Sequence, residues 1–494
     1  MLRRFLLALS FTNLCYAPVW KHLLDIPQAR LALASDIPGP GDYLAAICGV
    51  IVFAFAITMA DTALRRGPAA LRTAAAAAAF AFMLLRVRSL IPGAAAAEFE
   101  MRFVHNAAWI LAACCGAASI AVVPRLQRNA MHAAAIFLLA CAPFCAITFG
   151  RSLYRSFNPV IAPAPPLAPR LPSHAPRVVW VIFDEWDKRL TYDARPAGFA
   201  LPALDRLRAE SFFAENALPP APNTLTSMPS LIEGRVVRST TERSISDIEL
   251  HYQDGSLQRL GDAPNLFSDA RRAGFNAAAF GWYLPYCRIF AASLTDCWWR
   301  EMDERWNAPG GAFAEALIEQ PRALIEGAFF DPFGQSLRVQ KHRETYEDVL
   351  RRGIEIIGDP GVNLALLHFD VPHAPYFYDR ASADMSRSWS TYMDAVALVD
   401  RTVAELRQNM ERTGAWKTTA LLISSDHFWR NSPLVNGKRD ERVPFILHLP
   451  GQTEPVILRE PFNTVLTHDL LLAILRSDID SVAGARAWLA QRIR

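Results

Sequence analysis

Three short pieces of this chain carry side chains that could act together. Asp184-Glu185 and, far downstream, Asp426-His427 supply three carboxylates and an imidazole. Between them lies Ala221-Pro-Asn-Thr-Leu-Thr-Ser-Met-Pro-Ser-Leu-Ile-Glu-Gly-Arg235, which offers Thr224, Thr226 and Ser227 as hydroxyl nucleophiles. A threonine hydroxyl is a weak nucleophile near neutral pH unless a cation lowers its pKa, and carboxylates with an imidazole suit Zn or Mn. The combination points to metal-dependent phosphoryl or sulfuryl transfer, with Glu185, Asp426, His427 and the hydroxyl as ligands. Asp184 is the second choice, its other role being to cap a strand end.

Such residues need a scaffold that makes them converge. Short aliphatic runs at 178–183, 363–368, 418–424 and 443–449 read as buried parallel strands separated by amphipathic helices. In sheets of this kind ligands bind beyond the carboxyl ends of the strands. Asp184-Glu185, the segment His368-Phe-Asp-Val-Pro-His373 and Asp426-His427 all follow such runs. A helix is expected to begin near Ser227. Its N-terminus would favour an anion, whether or not Thr224 also caps it.

The first third of the chain is of another kind. Of 494 residues, 52% are hydrophobic and 20% charged, an excess concentrated before residue 150. Apolar stretches near residues 5–20, 43–60, 70–86, 107–123 and 131–149 each approach the roughly 20 residues that span a bilayer. They predict five transmembrane helices over residues 1–150. Arg3-Arg4, Arg65-Arg66, Arg125 and Arg128 would lie on the cytoplasmic side, against Arg86, Arg88, Arg151 and Arg155 outside. An odd helix count from an inside N-terminus exports everything that follows. The expected location is a bacterial inner membrane, with a multi-pass anchor and an exported catalytic domain at 177–494.

Residues 151–176 are Pro-rich and read as a tether or strap. Six cysteines fall in the apolar stretches, where cysteine behaves as a small hydrophobe. Cys287 and Cys297 remain, ten residues apart, as a candidate disulfide on the oxidising side. A formal net charge of +3 gives no argument for a nucleic-acid partner.

Residues 177–475 resemble the sulfatase-like branch of the alkaline phosphatase superfamily. The likeness rests on residues 201–217, on Val371-Pro-His-Ala-Pro-Tyr376, on Ser424-Ser-Asp-His427 and on Arg442-Val-Pro-Phe445. Five membrane helices ahead of such a domain, and Thr464-Val-Leu-Thr-His-Asp469, are similar to phosphoethanolamine and lipoteichoic-acid-type phosphoglycerol transferases. The resemblance implies an N-terminal membrane bundle followed by an α/β/α sandwich. It implies Thr224 as nucleophile, by the spacing to Gly234-Arg235 and by the pattern with Ser227 and Pro229. It assigns His373 and Lys438 to substrate, and His373 alternatively to a second metal.

Two departures matter. Sulfatases oxidise a Cys or Ser to an aldehyde, whereas a threonine's secondary alcohol could give only a ketone. The sulfatase Lys-Trp-His loop is here Gly281-Trp282-Tyr283, without its cations. The expected function is transfer of a phospholipid-derived phospho-headgroup to an envelope glycan or lipid through a phosphothreonine. Hydrolysis of phosphate or sulfate esters is the alternative. A decayed scaffold is the third reading, drawn from Phe428-Trp429-Arg430, where transferases carry a glycine and then a histidine.

Overall fold

In the computed structural model the described residues are 1–24, 38–71, 73–75, 77–78, 111, 114–116, 124–159, 165–173, 176–244, 247–300, 313–329, 335–385 and 390–493. The chain divides into two compact units.

The first unit is helical. Pro18 lacks the N–H that would continue the hydrogen-bond ladder of the preceding turn. The first apolar stretch accordingly breaks at Tyr16 into α1 (Leu2–Cys15) and α2 (Ala17–Leu24). Neither alone reaches the length of a span. The second stretch forms α3 (Pro40–Leu64), which starts on Pro40 with the Asp42 carboxylate accepting from the Gly39 N–H at 2.8 Å. The fifth forms α4 (Pro124–Ala140) and α5 (Ala142–Phe157). Among the described residues, Pro40–Leu64 and Met131–Phe157 are long and apolar enough to cross a membrane. Most residues of the third and fourth expected spans lie outside the described residues, so two of the five expected spans are seen as long apolar helices among the described residues.

A further helix, Phe313–Phe329, belongs to this unit although the sequence places it inside the exported stretch. Its Leu324 joins a core of Tyr16, Val19, Trp20, Leu23, Leu24, Tyr43, Ala46 and Val50. Gln320 Nε2 donates to the Asp42 carbonyl at 3.0 Å, and Arg151 Nη2 to the Leu24 carbonyl at 2.7 Å.

The second unit is built on an eight-stranded sheet: β1 (Arg177–Phe183), β2 (Phe212–Ala214), β3 (Ala277–Trp282), β4 (Asp296–Arg300), β5 (Leu364–Phe369), β6 (Thr419–Ser425), β7 (Phe445–His448) and β8 (Val456–Leu458). Their order is β8-β2-β7-β6-β1-β5-β3-β4. The strands β6, β1, β5, β3 and β4 run parallel. The fourth expected strand runs antiparallel to β6 instead. The only α-helix between them is the one-turn Pro433–Asn436, so the connection lacks the helix that usually carries a crossover to a parallel strand.

Along β1, Val178, Trp180 and Ile182 pack into one buried cluster and Val179, Val181 and Phe183 into the other. Both faces of the sheet are covered, which explains the continuous apolar runs. Phe183 pairs with Ser425 on one side and Phe369 on the other. The next residues, Asp184, Asp426 and Asp370, therefore leave the sheet at one level.

Residues 165–173 lie along this unit as a strap, fixed by Asn276, which pairs with the Leu171 backbone in both directions at 2.8 Å. Cys287 and Cys297 are bonded, closing the connection between β3 and β4. Cys287→Ser is expected to cost about 2–3 kcal/mol for a loop of this length. Urea denaturation should show the loss, and adding reductant should lower the wild-type midpoint while leaving the variant's unchanged.

Candidate active site

The site lies on the carboxyl ends of β1, β5 and β6 and the N-terminus of α6 (Thr224–Glu233). Asn223 is the cap of that helix, its side chain accepting from the Thr226 N–H at 3.1 Å. Thr224 is thereby released from capping and occupies the first helical position, buried. Thr226 turns its hydroxyl to Asn223, and Ser227 donates to the Asp426 carbonyl at 2.5 Å, which ties α6 to the end of β6. Of the three candidate hydroxyls, that of Thr224 alone meets both a carboxylate and an imidazole. It donates to Asp184 Oδ2 at 3.2 Å and lies 3.3 Å from His427 Nε2.

His427 Nδ1 donates to the Phe428 carbonyl at 2.9 Å, which leaves the lone pair on Nε2. That nitrogen is 3.4 Å from Asp184 Oδ1 and 3.5 Å from Asp426 Oδ2. Both oxygens are buried without a hydrogen-bond partner. Asp184 Oδ1, Asp426 Oδ2 and His427 Nε2 thus crowd one point. Ligands held ~2.0–2.1 Å from a shared tetrahedral cation stand about 3.3 Å apart. The contacts of Thr224 with Asp184 and His427, and of His427 with Asp184 and Asp426, at 3.2–3.5 Å, are close to that spacing, and these oxygen and nitrogen donors fit zinc or manganese. Burial, then the charges of Asp426 and Glu185, raises the Asp184 carboxyl well above its usual range, so the cluster without a cation is electrostatically costly.

Glu185, the first-choice ligand from sequence, faces elsewhere. Its backbone is left-handed, with φ 62°, and its carbonyl accepts from the Tyr392 hydroxyl at 2.7 Å. The turn sends its carboxylate to Arg430 Nε at 2.7 Å. Glu185 still touches the cluster through its N–H, 3.4 Å from Asp426 Oδ1. Arg430, which the sequence reading mentioned only as a departure, is the cation at this rim.

His368 was also passed over. It lies within β5, and one of its atoms falls within 4.8 Å of ligand atoms of Asp184 and Asp426. Its Nδ1 bonds the Tyr286 hydroxyl at 2.8 Å, and burial lowers its pKa to about 4, so the ring is neutral near neutral pH. Gly281 on β3 makes room for it, since an added Cβ would stand 2.7 Å from the His368 Cβ and 3.2 Å from its carbonyl oxygen. The glycine of the Gly281-Trp282-Tyr283 loop thus has a packing role. Gly281→Ala should destabilise the unit by about 1–3 kcal/mol through overpacking, read as a lower denaturation midpoint.

A second group adjoins. Asp370 is fully buried, and burial pushes its carboxyl up. Its Oδ2 is 3.3 Å from His342 Nε2, and His342 Nδ1 donates to the Pro375 carbonyl at 2.8 Å. His373 is half-buried on this loop, its ring centroid 5.3 Å from that of Trp282, which also neighbours His342 and His368. Burial holds the His373 pKa below the usual imidazole range. Lys438 is exposed on the loop after β6, and its carbonyl accepts from Arg189 Nη2 at 3.1 Å. Asp370 follows a strand run as Asp184 does and could have been found that way. His342 comes from the helix Gln335–Gly358, and no local pattern links it to Asp370.

Known structures with related folds include Ps i-CgsB in complex with k-i-k-neocarrahexaose, at 13% identity over 64% of this chain and 76% of that one, TM-score 0.45. The phosphonate monoester hydrolase SpPMH from Silicibacter pomeroyi matches at 14% over 61% and 73%, TM-score 0.42. The lipoteichoic acid synthase LtaP from Listeria monocytogenes matches at 16% over 60% and 71%, TM-score 0.39. No curated protein matches the chain. The family model named Sulfatase matches residues 176–476, the span that carries the sheet, the threonine-bearing helix and the carboxylate–imidazole cluster; the chain is an enzyme of the sulfatase family.

Proposed function

We propose that this enzyme transfers a phosphorylated headgroup from a membrane phospholipid to a hydroxyl of an envelope glycan or lipid, through a covalent phosphothreonine at Thr224. The observation that carries the reading is the buried Thr224 hydroxyl between Asp184 and His427, at a helix N-terminus. A zinc or manganese ion held by Asp184, Thr224, Asp426 and His427 would lower the pKa of the hydroxyl and offset charge on the transferred group. Thr224 Oγ1 bonds to phosphorus as the bond from phosphorus to the diacylglycerol oxygen breaks, and the released diacylglycerol takes a proton. The acceptor hydroxyl then displaces Thr224 and gives up its own proton.

His373, Lys438 and Arg430 are assigned to the non-bridging oxygens, where fixed donors stabilise developing charge. Glu185 holds Arg430 in place by its ion pair. Threonine, unable to form the sulfatase aldehyde, favours phosphorus over sulfur as the centre attacked. The two long apolar helices support a membrane anchor, and the five-span reading with an inside N-terminus would put the catalytic unit on the exported side of a bacterial inner membrane.

The test is the intact mass and peptide map of the full-length protein after incubation with mixed phospholipids. An adduct on the Thr224 peptide with the mass of a phospho-headgroup is expected. Steady hydrolysis of aryl phosphates by metal-loaded protein without that adduct would instead indicate a hydrolase, and a preference for sulfate over phosphate esters would overturn the reading.

A further inference from the structure

The Phe313–Phe329 helix leaves the catalytic stretch of the sequence and joins the helical unit, and its surface divides into three stripes. Ala316, Gln320 and Leu324, four residues apart, are buried. Gln320 is bonded to the first turn of α3, and Leu324 belongs to the core that holds the aromatics Tyr16, Trp20 of α2 and Tyr43 of α3. A second stripe, Glu315, Glu319 and Arg322, is polar, with Arg322 paired to Glu319 at 3.5 Å. The third, Ala314 and Ile318, is apolar and outward, with Ile318 67% exposed and Phe313 beside it 40% exposed. A helix that only needed to seat on α3 would put polar groups at these positions.

The place of the helix along α3 gives the third stripe its meaning. Asp42 is in the first turn of α3, and α3 is long and apolar enough to span a bilayer, with Ile51, Val52 and Phe55 turned outward. The Phe313–Phe329 helix therefore meets the end of a span, where acyl chains give way to headgroups. A helix at that depth needs an apolar flank toward the chains and a charged flank toward the headgroups, which is the division seen.

We infer that the Phe313–Phe329 helix is an interfacial helix of the exported leaflet, with Ala314 and Ile318 dipped into the acyl boundary and Glu315, Glu319 and Arg322 at headgroup level. The inference rests on the membrane reading of α3. It places a lipid-contacting element inside the sequence of the catalytic stretch, rather than only ahead of it.

The test uses the full-length protein with the six cysteines outside the disulfide replaced by alanine and the Cys287–Cys297 bond kept, in vesicles of phosphatidylethanolamine and phosphatidylglycerol. A bimane label is placed by Ile318→Cys, by Val52→Cys on the exposed face of α3, and by Glu454→Cys on an exposed loop of the second unit. Quenching is compared for phospholipids carrying a nitroxide near the headgroup or near the chain end. The Ile318→Cys label is expected to be quenched at least about twofold more than the Glu454→Cys label, most strongly by the shallow nitroxide. The Val52→Cys label should respond to lipid nitroxide in every case if α3 spans. Quenching at Val52→Cys but none at Ile318→Cys overturns the inference alone. No quenching at either overturns the membrane reading with it.

Discussion

Thr224→Ala lowers kcat by roughly 10⁴-fold or more with any phosphate ester, because the group that forms the covalent bond is gone and no neighbour replaces it. Thr226 and Ser227 are the nearest hydroxyls in sequence, but one closes the cap of α6 and the other holds the end of β6. The loss should come without unfolding. Thr224 contributes one small side chain at the start of the helix, and the cap resides on Asn223. Thr224→Ser separates nucleophile chemistry from packing, since a primary hydroxyl at this position should retain within about tenfold of wild-type activity. Full activity in Thr224→Ala, measured as phosphate transfer or hydrolysis, sinks the covalent mechanism.

Asp426→Asn should abolish metal binding and activity together. An amide oxygen is neutral and a poor replacement for a carboxylate on a divalent cation, so metal content of the purified protein should fall from stoichiometric to a small fraction. Chelator-treated wild type should likewise lose about 3–4 kcal/mol of stability relative to protein in metal at 100 to 1,000 times its Kd. The stability of the metal-free protein makes a sharper test. The Asp184 carboxyl is raised by burial first, then by Asp426 and Glu185. A raised folded-state carboxyl contributes stability below its unfolded pKa and loses it as pH rises toward the folded value. Metal-free wild type should therefore weaken as pH rises from mild acid toward neutrality. Asp426→Asn removes one of the repelling charges and should flatten that slope, making the variant more stable than metal-free wild type at pH above neutrality while inactive. Parallel slopes in denaturation at several pH values would remove the cluster from the account.

What was legible in the sequence follows from periodicity. Buried strands write themselves as aliphatic runs, so β1, β5 and β6 and the acids after them could be located before any coordinates. The choice between Asp184 and Glu185 could not. Two adjacent acids differ only in which way the chain turns, and here the left-handed backbone at Glu185, fixed by Tyr392 from a helix some two hundred residues on, turns its carboxylate to Arg430 and leaves that of Asp184 beside Thr224 and His427. His368 was hidden because it sits among aliphatic residues inside a strand. The His342–Asp370 pair was hidden because helix and strand meet only in the fold. The break of the first apolar stretch at Tyr16, two residues before Pro18, is a feature that a count of apolar residues does not report. The antiparallel run of β7 depends on the absence of a crossover helix, which an apolar run alone does not report.

The Phe313–Phe329 helix also bears on how the enzyme could be divided. A chain beginning at Arg177 would contain every residue of the catalytic cluster, yet would carry this helix away from Tyr16, Trp20, Tyr43 and Val50, the surface that covers Leu324. Ala316 and Leu324 would then face water beside the already outward Ile318, turning one helix apolar on most of its circumference. Such a fragment would self-associate through this helix, and release of a soluble catalytic unit by proteolysis would require cutting on both sides of it as well as in the strap.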